Sequence, residues 1–265
     1  MVFVAKRPHL YIPELEQQTT EFVNVGLYFG TTISAEQAES WLALARAIRQ
    51  TRRPIRCLWL RFANGDDSVL STLRSFGQEL VGCAAVQSLI LENRIGNAEI
   101  MCLKDYLTSN TTLRGIKFMR TNLDTSEFVL LHDFFAGDGS LRVLDVYGNK
   151  GVEDEAVREM LSALLVGGSN LETLNIGEST FDDVEGVPRI TESGVEAILS
   201  FVRRSKCFHG YMGSDLCVIR ASLTLAHLYS SIDCTLEDSV MGDEQYAANR
   251  ASKHTSKSSL QHIKA

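Results

Sequence analysis

The sequence predicts an α/β fold, a solenoid of stacked strand–helix units, and three observations lead to it. The phrase apolar-x-x-apolar-x-apolar occurs six times, as FVNVGL (22–27), IRCLWL (55–60), VQSLIL (86–91), LRGIKF (113–118), LRVLDV (141–146) and LETLNI (171–176). All eighteen template positions are Leu, Ile, Val or Phe, and the starts lie 33, 31, 27, 28 and 30 residues apart. After the strand-like phrase the apolar spacing changes from a period of two to a helical one.

Each element follows from its residues. Trp41, Leu44 and Ile48 recur at helical spacing behind the first strand, and Leu103 and Leu107 behind the third. Val157, Leu161 and Leu164 do so behind the fifth, and Val195, Ile198 and Leu199 behind the sixth. One strand and one helix leave most of their apolar area wet, so such a unit needs neighbours, and stacking builds one continuous core. Successive strands then pair in parallel and the helices return along the outside.

The flanks lack the phrase. Residues 1–21 are expected to cap the open edge of the first strand, because a solenoid needs its terminal edges shielded. Residues 22–204 form the repeat array. LCVIRA (216–221) is a candidate seventh strand within a C-terminal cap over 205–236. Residues 237–265 are polar and serine-rich and are expected to form a disordered tail. GESTFDDVEGVPR (177–189) reads as an inserted acidic surface loop.

Composition narrows the function. Hydrophobic residues make up 45% of 265, enough for a sizeable core. Acidic residues number 33 against 26 basic, and the net charge of −7 offers no global field for nucleic acid. No apolar run of about 18 residues is present to cross a bilayer, and Lys6, Arg7, Pro8 and Pro13 interrupt the start. A cytoplasmic or nuclear location is expected. The six cysteines form no C-x-x-C pair and read as reduced thiols. Asn110-Thr111-Thr112 matches a glycosylation sequon but is expected to be idle.

Catalytic signatures are missing from the sequence: there is no G-x-S-x-G, H-E-x-x-H, G-x-G-x-x-G after a strand, or G-x-x-x-x-G-K-[ST]. The six histidines stand at no ligand spacing. No enzymatic activity, metal or cofactor is therefore expected. Arg46, Arg49, Arg52, Arg53, Arg56 and Arg61 crowd one stretch, and two readings compete for them: a solvated helix end favoured by the dipole, or a basic patch.

The binding face follows from strand alternation. With template positions four and six inward, positions five and seven line the concave surface. Position five reads Gly26, Trp59, Ile90, Lys117, Asp145 and Asn175, and position seven reads Tyr28, Arg61, Glu92, Met119, Tyr147 and Gly177. The expected protein-binding strip is Tyr28, Trp59, Arg61, Ile90, Glu92, Lys117, Met119, Asp145, Tyr147 and Asn175. Aromatics and arginine dominate interface hot spots, so Trp59 stands as its expected exposed centre.

The repeat resembles the leucine-rich repeat family, in particular its ribonuclease-inhibitor-like class, over about residues 22–204. The nearest unit is LETLNI followed by ITESGVEAILSFV, where Ile190, Gly194, Ile198 and Phe201 fall on the class's helix phrase. LRVLDVYGNKGVEDEAVREML follows, with Asn149 at the ninth place, where the family's asparagine bonds the turning backbone. The ninth place elsewhere holds Gly30, Ala63, Arg94, Thr121 and Ser179, while Asn64 and Asn122 sit one place late. The resemblance implies an arc or horseshoe with a concave parallel sheet and convex helices, serving as a non-enzymatic scaffold for a protein partner. The alternative it implies is a regulator of a small GTPase, since the Ran GTPase-activating protein carries similar repeats. Arg61 and Arg120 are then the candidates for an arginine finger.

Overall fold

The computed structural model describes residues 7–17, 22–63, 65–93, 95–121, 123–137, 139–146, 148–149, 151–168, 170–176, 190–204 and 210–211. Asn64, Asn122, Tyr147, the acidic stretch 177–189, LCVIRA and the expected tail all lie outside them. A 3-10 turn, Pro8–Leu10, and a short helix α1, Ile12–Glu16, precede the array. Strands and helices then alternate: β1 Val23–Phe29, α2 Ala35–Gln50, β2 Ile55–Phe62, α3 Asp67–Glu79, β3 Ser88–Glu92, α4 Asn97–Ser109 and β4 Gly115–Met119. Helices α5 Thr125–Leu130 and α6 His132–Phe135 share the fourth unit, followed by β5 Val143–Asp145, α7 Asp154–Val166, β6 Thr173–Asn175, α8 Glu192–Arg204 and β7 Gly210–Tyr211.

Among the described residues, seven strands pair in parallel, in chain order β1-β2-β3-β4-β5-β6-β7. This arrangement fits a leucine-rich-repeat-like fold. The six phrases thus become neighbouring strands. β7 was not foreseen, since two residues without the apolar phrase leave no pattern to read.

The inward rows explain the pairing. Val25, Leu27, Leu58, Leu60, Leu89, Leu91, Ile116, Phe118, Leu144, Val146, Leu174 and Ile176 are buried in one hydrophobic cluster with the helix residues Leu44, Ile48, Leu103, Leu107, Val157 and Leu161. A slip of one residue would turn every one of these strand side chains to the opposite face. Phe29 anchors the first unit, stacking on Trp41 at 4.0 Å and Phe62 at 5.2 Å between ring centroids.

The first template position needs correction. Phe22 is 45% exposed, with the Arg56 guanidinium over its ring, and Val23 takes the buried place instead. The cause is an irregularity between Val23 and Asn24: Val23 pairs with Ile55, but Asn24 already pairs with Cys57.

Hydrogen bonds close the units. Ser34 and Asp124 cap α2 and α5 in reciprocal pairs with Gln37 and Glu127. Asn149 is buried, and its amide bonds the Phe118 and Val146 carbonyls at 2.8 Å each. Its carbonyl oxygen accepts from the Thr121 N–H at 2.8 Å and hydroxyl at 2.7 Å. Thr121, at the ninth place of the preceding unit, is thereby satisfied through the next unit's asparagine. Asn110 plays a similar part: its Oδ1 accepts from the Thr112 and Leu113 N–H groups, and its Nδ2 donates to the Cys83 carbonyl. A side chain so buried and so engaged is closed to glycosylation in the folded chain.

Cys57, Cys83 and Cys102 are buried free thiols. Burial pushes the Cys57 thiol up to about 11 and raises the other two as well. Since the thiolate is the reactive form, these three should label with Ellman's reagent at pH 8 only as fast as the chain opens, and at once in denaturant. Rapid labelling of Cys57, Cys83 or Cys102 in the native protein, located by mass spectrometry, would contradict this packing.

Candidate binding face and cleft

The face of the sheet opposite the helices carries the two predicted rows, and the register joins their members strand to strand. Gly26 pairs with Trp59, Trp59 with Ile90, Ile90 with Lys117, Lys117 with Asp145 and Asp145 with Asn175. In the second row Tyr28 pairs with Arg61, Arg61 with Glu92 and Glu92 with Met119. Tyr147, expected to continue this row, lies outside the described residues.

Exposure along the strip is lower than the sequence suggests. Tyr28 is 51% exposed and Arg61 is exposed, but Trp59, Ile90, Lys117, Met119, Asp145 and Asn175 are half-buried and Glu92 is only 7% exposed. Long side chains on strands about 4.8 Å apart lie against their row neighbours and cover one another. Glu92 has Arg61 and Met119 as those neighbours, and the Arg61 Nε stands 3.9 Å from its Oε2. Glu92 is therefore a partner for Arg61 rather than an open contact, and Trp59 presents part of its ring.

Polar residues of the first row form a chain of their own. Lys117 Nζ donates to Asp145 Oδ2 at 2.5 Å, and Asn175 Nδ2 donates to Asp145 Oδ1 at 3.2 Å. Three adjacent strands thus hold a fixed ammonium, carboxylate and amide in line. The sequence carried a signal for this, because Lys, Asp and Asn at one template position of consecutive units must meet as cross-strand neighbours.

At the β1 end the strip runs into a cleft of about 630 Å³. Its floor holds Gly26, Tyr28, Trp59 and Arg61, one wall the Arg7–His9 turn, and the other Glu36, Gln37 and Ser40 of α2. Tyr11 ties this corner together: its hydroxyl donates to the Gly26 carbonyl and accepts from the Gly26 N–H, both at 3.0 Å. The first wall escaped sequence reading, since Arg7–Tyr11 has no template and contacts a strand 15 residues away.

The arginine cluster separates into local tasks. Arg46 pairs with Glu79 at 3.2 Å, Arg53 donates to the Glu14 carbonyl at 2.8 Å, and Arg56 covers Phe22. Arg61 alone of these lines the cleft. Among the described residues no group of three His, Cys, Asp or Glu side chains could hold a metal, and no helix is long and apolar enough to cross a membrane.

No protein-family model matches the chain, and no curated protein matches it. Among solved structures, the chain is similar to leiomodin-1 actin-binding site 2, with 15% identity and a TM-score of 0.43, over 60% of this chain and 87% of that one.

Proposed function

We propose that this chain is a non-enzymatic protein-binding scaffold of the ribonuclease-inhibitor-like class of leucine-rich repeats, which holds a protein partner on the open face of its sheet. The observation that supports this reading is the register. It sets Tyr28, Trp59 and Ile90 beside Arg61, Lys117, Met119, Asp145 and Asn175 on one continuous backbone platform. Side chains on paired strands are already ordered, so little entropy is lost when a partner covers them. Aromatic surface at β1 and β2 passes into the Lys117–Asp145–Asn175 chain, which favours a partner that is apolar at one end of its contact and polar at the other. Helices of 13 residues in α3, α4, α7 and α8 agree with the class. The regulation of a small GTPase rests on the family resemblance alone, and no described feature of the face adds to it.

A titration against a protein partner tests the reading. Ile90→Glu should weaken binding at least about tenfold, an interface-centre effect of about 1–2 kcal/mol, while Arg158→Glu on the exposed side of α7 should leave it unchanged. The reverse order would place the partner on the helices.

A further inference from the structure

Among the described residues, the edge of β1 away from β2 turns a pair of backbone groups toward the cleft. In a parallel ladder alternate residues turn both N–H and C=O to the same side. Phe29 turns to β2, its carbonyl accepting from the Ala63 N–H at 2.9 Å, so Val25 and Leu27 turn there too. Asn24, Gly26 and Tyr28 consequently face the far edge. Both groups of Gly26 are met by the Tyr11 hydroxyl. Two residues on, the edge groups of Tyr28 face the cleft, with the Arg7–His9 turn across from them.

We infer that this cleft takes an extended acidic segment of the partner, added to the sheet as a short strand beside Tyr28. The inference rests on the protein-binding reading above and names the chemistry of one contact within it. An extended backbone is the group that meets an N–H and a C=O on one edge together, which is how strand addition obtains its affinity. Alternate side chains of the added strand would point toward the ring surfaces of Tyr28 and Trp59. The charge follows from the lining, where the guanidinium groups of Arg7 and Arg61 stand against the one carboxylate of Glu36, on a chain whose net charge is −7. Tyr11 sets the length of the site, because at Gly26 its hydroxyl already occupies the groups that a longer strand would need.

The test uses the full chain and a fluorescent, end-blocked hexapeptide alternating valine and glutamate. Two counterparts accompany it, one with lysine for glutamate and one N-methylated at alternate amides. The acidic peptide should bind saturably, and the other two at least about tenfold more weakly, as should the acidic peptide to Arg7→Glu. Arg158→Glu, on the exposed side of α7, should bind the peptide as wild type does. Equal binding of the N-methylated peptide would overturn strand addition, and equal binding of the lysine peptide would overturn the charge. Binding only after removal of residues 1–6 would assign the cleft to the chain's own start and overturn the inference as well. If no peptide binds while Ile90→Glu still weakens the protein partner, this inference falls and the open-face reading stands.

Discussion

Replacing Asn149 with alanine should lower the unfolding free energy by about 3–5 kcal/mol, among the largest single-site effects in the chain. The side chain makes four hydrogen bonds at 2.7–2.8 Å across two units, and it is buried, so water does not replace it. Its removal strands the Phe118 and Val146 carbonyls and the Thr121 N–H, each costing roughly 1–3 kcal/mol when left unmet. Asn149→Asp should also be destabilising, because the carboxylate keeps the acceptor for Thr121 but faces two carbonyls without a proton to give. Urea unfolding at pH 7 measures both. A loss under about 1 kcal/mol for Asn149→Ala would mean that the two units are not joined through this side chain.

Leu58→Ala should cost about 2–5 kcal/mol through the cavity it leaves, since Leu58 is fully buried between neighbouring inward rows. Trp59→Ala, one residue along the same strand, should cost distinctly less, about 1–2 kcal/mol, because part of the indole stays in contact with water and its neighbours are row mates rather than core. The order is the discriminating quantity. Parallel thermal melts check it, and a Trp59→Ala variant that melts as low as Leu58→Ala would make the tryptophan a core residue. The partner titration should give the opposite order, with Trp59→Ala the more harmful of the two.

The inward rows were legible in the sequence because each template position fixes both burial and register: Leu58, Leu89, Ile116, Leu144 and Leu174 fall side by side as the phrase demands. Phe22 was misplaced because a local irregularity shifts one residue without altering the composition of the phrase. Strands β5 and β6 proved shorter than their six-residue phrases, whose flanking apolar residues Leu141, Val146, Leu171 and Ile176 remain buried. Which side chains share a row was also readable. How far each is covered was not, since the burial of Glu92 depends on how Arg61 and Met119 lie beside it. The cleft was illegible for another reason: one wall is a turn with no repeat signal, held by a single tyrosine hydroxyl on a glycine backbone.

Site-specific photo-cross-linking distinguishes a partner held on the open face of the sheet from one held on the helices. Benzoylphenylalanine replaces Ile90 on the open face in one sample and Arg158 on the exposed side of α7 in another. Position 90 should give a discrete protein adduct that unlabelled chain competes away and Trp59→Ala abolishes, and position 158 should give none. An adduct from position 158 that survives Trp59→Ala, with none from position 90, would contradict a partner on the open face.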